Sequence, residues 1–118
     1  MKILLIDDEE EFVSTLAERL IIRGLEADWV NSGLDALAKA EETDYDLMVV
    51  DIKMPGMSGP EFIRRISEKK PAVKFIVLSG HGDVKSLSDN DPVAICHRLV
   101  KPIDIDVLLD IIQQMRCQ

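Results

Sequence analysis

Short aliphatic runs alternate along this chain with longer stretches in which apolar residues recur every three or four positions. The runs Lys2–Ile6, Glu26–Val30, Leu47–Val50, Lys74–Leu78 and Ala94–Val100 predict five strands. Ile3-Leu4-Leu5-Ile6 and Leu47-Met48-Val49-Val50 are continuously apolar, as expected of strands covered on both faces. The stretches between them read as helices. Phe12, Leu16 and Leu20, flanked by Val13, Ala17 and Ile21, form one apolar face, and Gly24 stops it. A second helix is predicted from about Leu34 to Glu42, after the turn Asn31-Ser32-Gly33. The third covers Pro60–Lys69, with Pro60 suited to a first helical turn and Pro71 closing it. The last helix has Asp104 as its N-cap and Leu108, Ile111, Ile112 and Met115 on one face. Between Asp83 and Pro92 only Val84 and Leu87 are strongly apolar, so a short or irregular fourth helix is expected there.

Five strand-then-helix units imply an α/β fold, (βα)5, in which a parallel sheet carries helices on both faces. Ligands in such doubly wound folds bind outside the carboxyl ends of the strands, where strand order reverses. Function is therefore to be sought just after each strand.

Composition narrows the picture. A chain of 118 residues fits one domain, 1–118, with no repeat or linker visible. Aromatics make up 4% of it, so the core must be aliphatic. No apolar run approaches the roughly 20 residues that span a bilayer, and the start runs straight into Asp7 and Asp8, so a cytoplasmic protein without a membrane segment is expected. A net charge of −8 disfavours direct binding of nucleic acid by this segment. Cys96 and Cys117 lack metal-ligand spacing and read as reduced thiols, Cys96 buried and Cys117 in a frayed tail.

The strand ends carry the chemistry. Asp7 and Asp8 follow the first strand, Asp51 the third, Ser79 the fourth and Lys101 the fifth. Carboxylates gathered at one edge repel one another, which raises at least one pKa. A hard divalent cation resolves the repulsion, and Mg2+ typically takes one or two carboxylates together with phosphate oxygens. An acidic cluster completed by a hydroxyl and an ammonium has the parts of a phosphoryl site, in which one carboxylate is the nucleophile. Each residue also has a plain structural reading: Asp8 as a helix cap, Asp51 and Ser79 as loop residues, Lys101 as a surface charge. Those readings account for each residue singly but not for all of them meeting at one edge.

The chain resembles the receiver domains of two-component response regulators along its whole length. The resemblance rests on Ile6-Asp7-Asp8-Glu9, on Val50-Asp51-Ile52-Lys53-Met54-Pro55-Gly56-Met57-Ser58-Gly59, on Leu78-Ser79-Gly80-His81-Gly82-Asp83-Val84 and on Val100-Lys101-Pro102. It implies the flavodoxin-like strand order 2-1-3-4-5 and a role for each matching residue. Asp51 matches the aspartate that takes a phosphoryl group from a sensor histidine kinase or phosphotransfer protein. Asp8 and Asp51 match direct Mg2+ ligands together with the backbone carbonyl of Lys53, while Asp7 matches a carboxylate acting through water. Lys101 matches the phosphate-binding lysine, and Lys101-Pro102 a peptide bond often cis in the family. Ser79 matches the hydroxyl that moves toward the phosphoryl group, changing the face made by the fourth helix, fifth strand and last helix. That face controls an output domain or effector protein, in a monomer or a phosphorylation-dependent dimer. Lys53 and His81 match variable positions that tune phosphoaspartate lifetime.

One departure concerns Arg98, three residues before the lysine, where the family usually has Tyr or Phe. Arg98 would there pair with an acidic partner or make a different interface. A degenerate receiver, binding partners independently of phosphorylation, is the alternative, and the intact Asp7, Asp8, Asp51, Ser79 and Lys101 weigh against it. A Mg2+-dependent phosphatase of the haloacid-dehalogenase type generally has a second Asp two residues after the nucleophile, where this chain has Lys53. The expected protein is thus a switch that catalyses its own phosphorylation and dephosphorylation, not an enzyme acting on an outside substrate. His81 and His97 lack the neighbours a zinc site needs, and no GxGxxG follows the first strand.

Overall fold

The computed structural model describes residues 1–54, 56–80 and 95–116. Along the chain these form β1 (Lys2–Ile6), α1 (Glu10–Ile22), β2 (Glu26–Val30), α2 (Gly33–Glu42), β3 (Leu47–Asp51), α3 (Gly59–Lys69), β4 (Lys74–Ser79), β5 (Ile95–Val100) and α4 (Ile105–Arg116). The irregular helix expected between Asp83 and Pro92, together with His81, Ala94 and Cys117, lies outside the described residues.

All five strands pair in parallel in the order β2-β1-β3-β4-β5, the flavodoxin-like α/β arrangement. The chain first crosses from β1 to β2 on one side and then returns to β3 on the other. Strand order therefore reverses between β1 and β3, and a crevice opens at their carboxyl ends.

Alternation along each strand sends neighbouring side chains into two separate cores. Leu4, Ile6, Met48, Val50, Phe75 and Val77 face α2 and α3, packing on Ala36, Ala40, Phe62, Ile63 and Ile66. Ile3, Leu5, Leu47, Val49, Ile76 and Leu78 face α1 and α4, packing on Val13, Leu16, Leu20, Leu108, Leu109 and Ile112. Both faces of the central strands are covered, which is why their sequences are continuously apolar rather than alternating.

Local chemistry sets the helix boundaries. Ser32 and Ser58 cap α2 and α3, their hydroxyls accepting from the Asp35 and Glu61 amides at 3.2 and 3.3 Å. Pro60 falls in the first turn of α3, where no amide hydrogen is needed. Asp104 behaves as expected, its carboxylate accepting from the Asp106 amide at 2.9 Å. The α1 terminus is different: Glu9, not Asp8, is its N-cap residue, and no side chain caps it. Helix α2 ends on a lysine of the next connection. Lys70 Nζ donates to the Ala40 carbonyl, to the Thr43 carbonyl at 3.3 Å and to Asp44 Oδ1 at 2.8 Å. Carbonyls that no helical amide can reach are thereby satisfied.

Three expectations shift. Strands β3 and β4 each run one residue further than their apolar runs, ending on Asp51 and Ser79 themselves. A polar residue can close a parallel ladder with its backbone, so hydrophobicity alone stops the strand too early. Cys96 is exposed, not buried. It lies on the outer strand of the sheet, whose residues Cys96, His97, Arg98 and Val100 are all exposed.

Candidate metal centre

The loop from β3 to α3 is shaped so that Asp51 sits at the mouth of the crevice. The Ile52 amide bonds the Leu78 carbonyl at 2.9 Å, and the Gly59 amide returns to the Ile52 carbonyl at 2.8 Å. A Cβ on Gly59 would lie 2.7 Å from Ile52 Cα, so only glycine lets the start of α3 press against the strand end. Gly56 turns the loop with φ +85°.

Asp7, directly after β1, and Asp51, the last residue of β3, are 2% and 4% exposed, whereas Asp8 is exposed. Carboxylate oxygens of Asp7, Asp8 and Asp51 all lie within 4.8 Å of one another, close enough to share one cation. Lys101, immediately after β5, reaches across the same crevice. Its Nζ lies 3.1 Å from Asp51 Oδ2, 3.1 Å from Glu9 Oε1 and 3.3 Å from Asp7 Oδ2. The Lys53 amide donates to Asp51 Oδ1 at 3.2 Å, and the Glu9 amide to Asp7 Oδ1 at 3.0 Å.

Burial pushes the Asp7 carboxyl up to about 6 from an ordinary 3.8. The Glu9 amide and Lys101 oppose that rise, and the neighbouring Asp51 charge adds to it. Asp7 Oδ2 is buried and accepts no hydrogen bond, because Lys101 faces it at ion-pair range without hydrogen-bond alignment. For Lys101, burial works against the charged form. The Glu9 hydrogen bond and the Asp51 and Asp7 charges outweigh it and hold the ammonium protonated beyond the usual lysine range.

A divalent cation fits this donor set. The ligands are oxygens, two of the three carboxylates are buried, and one buried oxygen lacks a hydrogen bond that a metal would replace. Such a cation would also relieve the repulsion that raises the Asp7 pKa.

The residues expected from the sequence do not all converge. Asp7, Asp8, Asp51 and Lys101 meet directly, and Lys53 contributes an amide. Ser79 is 4% exposed, but its hydroxyl donates to the Leu99 carbonyl at 3.4 Å, so its one proton is directed away from the carboxylates. The Lys101 amide closes β5 onto the Ser79 carbonyl at 2.6 Å, and the Lys101–Pro102 bond is cis, as the family resemblance implied. Arg98 is exposed on β5, in register with Val77 of β4. The residue missed from sequence is Glu9. In the sequence it is the middle residue of the acidic run Asp7–Glu11, and no local signal there marks its contact with Lys101. A cleft of about 440 Å³ lined by Glu9, Phe12, Lys101, Pro102 and Ile103 opens beside the ammonium.

Residues 3–113 match the family described as the response regulator receiver domain. Among solved structures, response regulator protein TrrA from Thermotoga maritima, in complex with Mg2+ and BeF, is 36% identical with a TM-score of 0.81. That likeness covers 97% of this chain and 98% of the other. A receiver domain protein from Clostridium thermocellum is 30% identical with a TM-score of 0.84, over 96% and 91% of the two chains. The uncharacterized transcriptional regulatory protein YesN of Bacillus subtilis is 33% identical over 99% of this chain and 34% of its own length. For the transcriptional regulatory protein FixJ of Rhizobium meliloti the figures are 30%, 93% and 54%. This chain thus spans about a third to a half of those two regulators. Among the described residues no helix is long and apolar enough to cross a membrane.

Proposed function

Since the chain belongs to the response regulator receiver domain family, we propose that it takes a phosphoryl group from a histidine kinase or phosphotransfer protein onto Asp51, in a Mg2+-dependent step. The observation carrying this reading is the placement of Asp51. Its carboxylate ends β3 in the crevice, shares a cation-sized cluster with Asp7 and Asp8, and has the Lys101 ammonium 3.1 Å away.

The chain's own groups divide the work. An Asp51 oxygen attacks phosphorus while the bond from phosphorus to the donor's leaving atom breaks, forming an acyl phosphate. Lys101 donates to a phosphoryl oxygen, and the Ser79 hydroxyl leaves the Leu99 carbonyl to donate to another. Asp8, Asp51 and the Lys53 carbonyl would hold the metal, and Asp7 would act on it through water. The metal, when bound, neutralises charge on the transferring oxygens. Hydrolysis transfers the group onward to water: water attacks phosphorus, the bond to Asp51 breaks, and inorganic phosphate departs. The chain turns over no outside substrate.

In the same reading residues 1–118 form one phosphoacceptor domain, working in the cytoplasm as a monomer or a phosphorylation-dependent dimer. The new charge of about −2 on Asp51 draws Ser79 inward and alters the β5 side of the sheet, which an output domain or effector protein reads. The bound Mg2+ and BeF of the Thermotoga maritima protein support a like site here. Titration with Mg2+ and beryllofluoride, followed by amide NMR, tests the proposal. Saturable shifts centred on β3 and β4, absent in Asp51→Asn, are expected. Shifts of equal size in Asp51→Asn would overturn it.

A further inference from the structure

The Lys101 ammonium has three N–H donors and three carboxylates around it: Asp51 and Glu9 at 3.1 Å and Asp7 at 3.3 Å. Two of these belong to the cluster a divalent cation needs, and the third does not. The environments differ as well. The Asp7 and Asp51 side chains are 2% and 6% exposed, whereas Glu9 is 62% exposed and reaches in from the head of α1.

This asymmetry creates a competition. Lysine and metal neutralise the same buried carboxylates, so each weakens the other's hold on Asp7 and Asp51. A lysine released from both by an incoming cation has to remain near Asp51, ready for phosphoryl oxygens, without returning to the metal's ligands. Glu9 is placed to hold it there. Resting on the phosphoryl-acceptor reading, we propose that Glu9 is a positioning residue, retaining the Lys101 ammonium while Asp7 and Asp51 turn to the metal. Without the Glu9 carboxylate the ammonium settles on Asp7 and Asp51, and metal binding must displace it from both.

The neighbouring acid provides a control. Glu10 also stands in the first turn of α1, but its Oε1 accepts from Asn31 Nδ2 at 2.8 Å. Glu10→Gln removes the same charge from the same helix end without removing Lys101's partner. A through-space charge effect on the metal would therefore appear in both variants, and a hold on the ammonium in Glu9→Gln alone.

The test is a double-mutant cycle read by calorimetric titration with Mg2+ alone, alongside the rate of phosphorylation by acetyl phosphate. In the parent background Glu9→Gln is expected to weaken Mg2+ binding about five-fold and slow phosphorylation, with Glu10→Gln changing either by less than about two-fold. Lys101→Met, which removes the competing cation, is expected to tighten Mg2+ binding. Adding Glu9→Gln to Lys101→Met should then change it by less than about two-fold. Equal Glu9→Gln effects in the two backgrounds, or no effect in the parent, would overturn the positioning role and leave the phosphoryl-acceptor reading standing. A parent with neither Mg2+ binding nor phosphorylation would overturn both.

Discussion

The interior of the sheet and its carboxyl rim are built on opposite terms. Inside, the central strands bury apolar side chains on both faces: Leu4, Met48, Val50 and Phe75 on one, Leu5, Val49, Ile76 and Leu78 on the other. At the rim stand Asp7, Asp51 and Ser79, the three buried polar residues among those described. The interior stabilises the fold by removing apolar surface from water, each large side chain contributing about 1.5–3 kcal/mol. The rim does the reverse, keeping two carboxylates out of water with one ammonium shared among them and Glu9. A strong interior is what allows a buried, charged edge to persist, and the edge is where a cation or phosphoryl group has most to gain.

Substitutions should separate the two regions. The largest stability change is expected inside. Phe62 is fully buried against the α2 side of the sheet, and Phe62→Ala should cost about 3–5 kcal/mol in urea unfolding. The crevice lies at a different layer, so the folded fraction should still bind Mg2+.

At the rim the expected sign is opposite. Asp7 is neutral in both folded and unfolded chains well below pH 3.8. As pH rises from 3.8 toward about 6 the unfolded chain gives up this proton first, so metal-free stability falls through that window. The gap corresponds to about 3 kcal/mol once both states are ionised. Asp7→Asn should therefore flatten the dependence between about pH 4 and 6 and stabilise the metal-free protein at pH 7. A variant less stable than its parent at pH 7 would mean that the Lys101 attraction outweighs the cost of burial. Mg2+ should offset the same penalty, raising the parent's melting temperature more at pH 7 than at pH 5.

A smaller effect sharpens the comparison away from both regions. Lys70 satisfies the end of α2 from the α3–β4 connection, and its Asp44 partner is almost wholly exposed. Lys70→Met should cost about 1 kcal/mol through the lost carbonyl bonds, leaving metal binding unchanged. Because the Asp44 pair is solvent-exposed, little of that loss should vary with salt.

The interior was the more legible region in the sequence. Continuous runs such as Ile3-Leu4-Leu5-Ile6 are consistent with two-sided strands, and their alternation with helical patterns, (βα)5, decides for strands and orders them. The rim was legible to the extent that its residues directly follow or end strands, as Asp7, Asp51, Ser79 and Lys101 do. What stayed hidden depends on contacts between distant positions. Glu9 and Lys101 are 92 residues apart, and nothing local to either marks the pair. The same holds for Lys70 and the end of α2, and for Tyr45, whose hydroxyl donates to Asp28 at 2.7 Å. Cys96 is exposed where burial is expected because apolar content within β5 does not tell which residues an outer strand turns to solvent. Ser79 ends β4 instead of following it, and its hydrogen bond to Leu99 depends on the β4–β5 register, which no short motif encodes.

The central claim, that Asp51 is the phosphoryl acceptor, is tested most directly by intact mass after incubation with Mg2+ and acetyl phosphate. The account predicts a gain of one phosphoryl group in the parent, lost on omission of Mg2+ and absent in Asp51→Asn. The same gain in Asp51→Asn, or no gain in a parent that also fails to bind beryllofluoride, would contradict it.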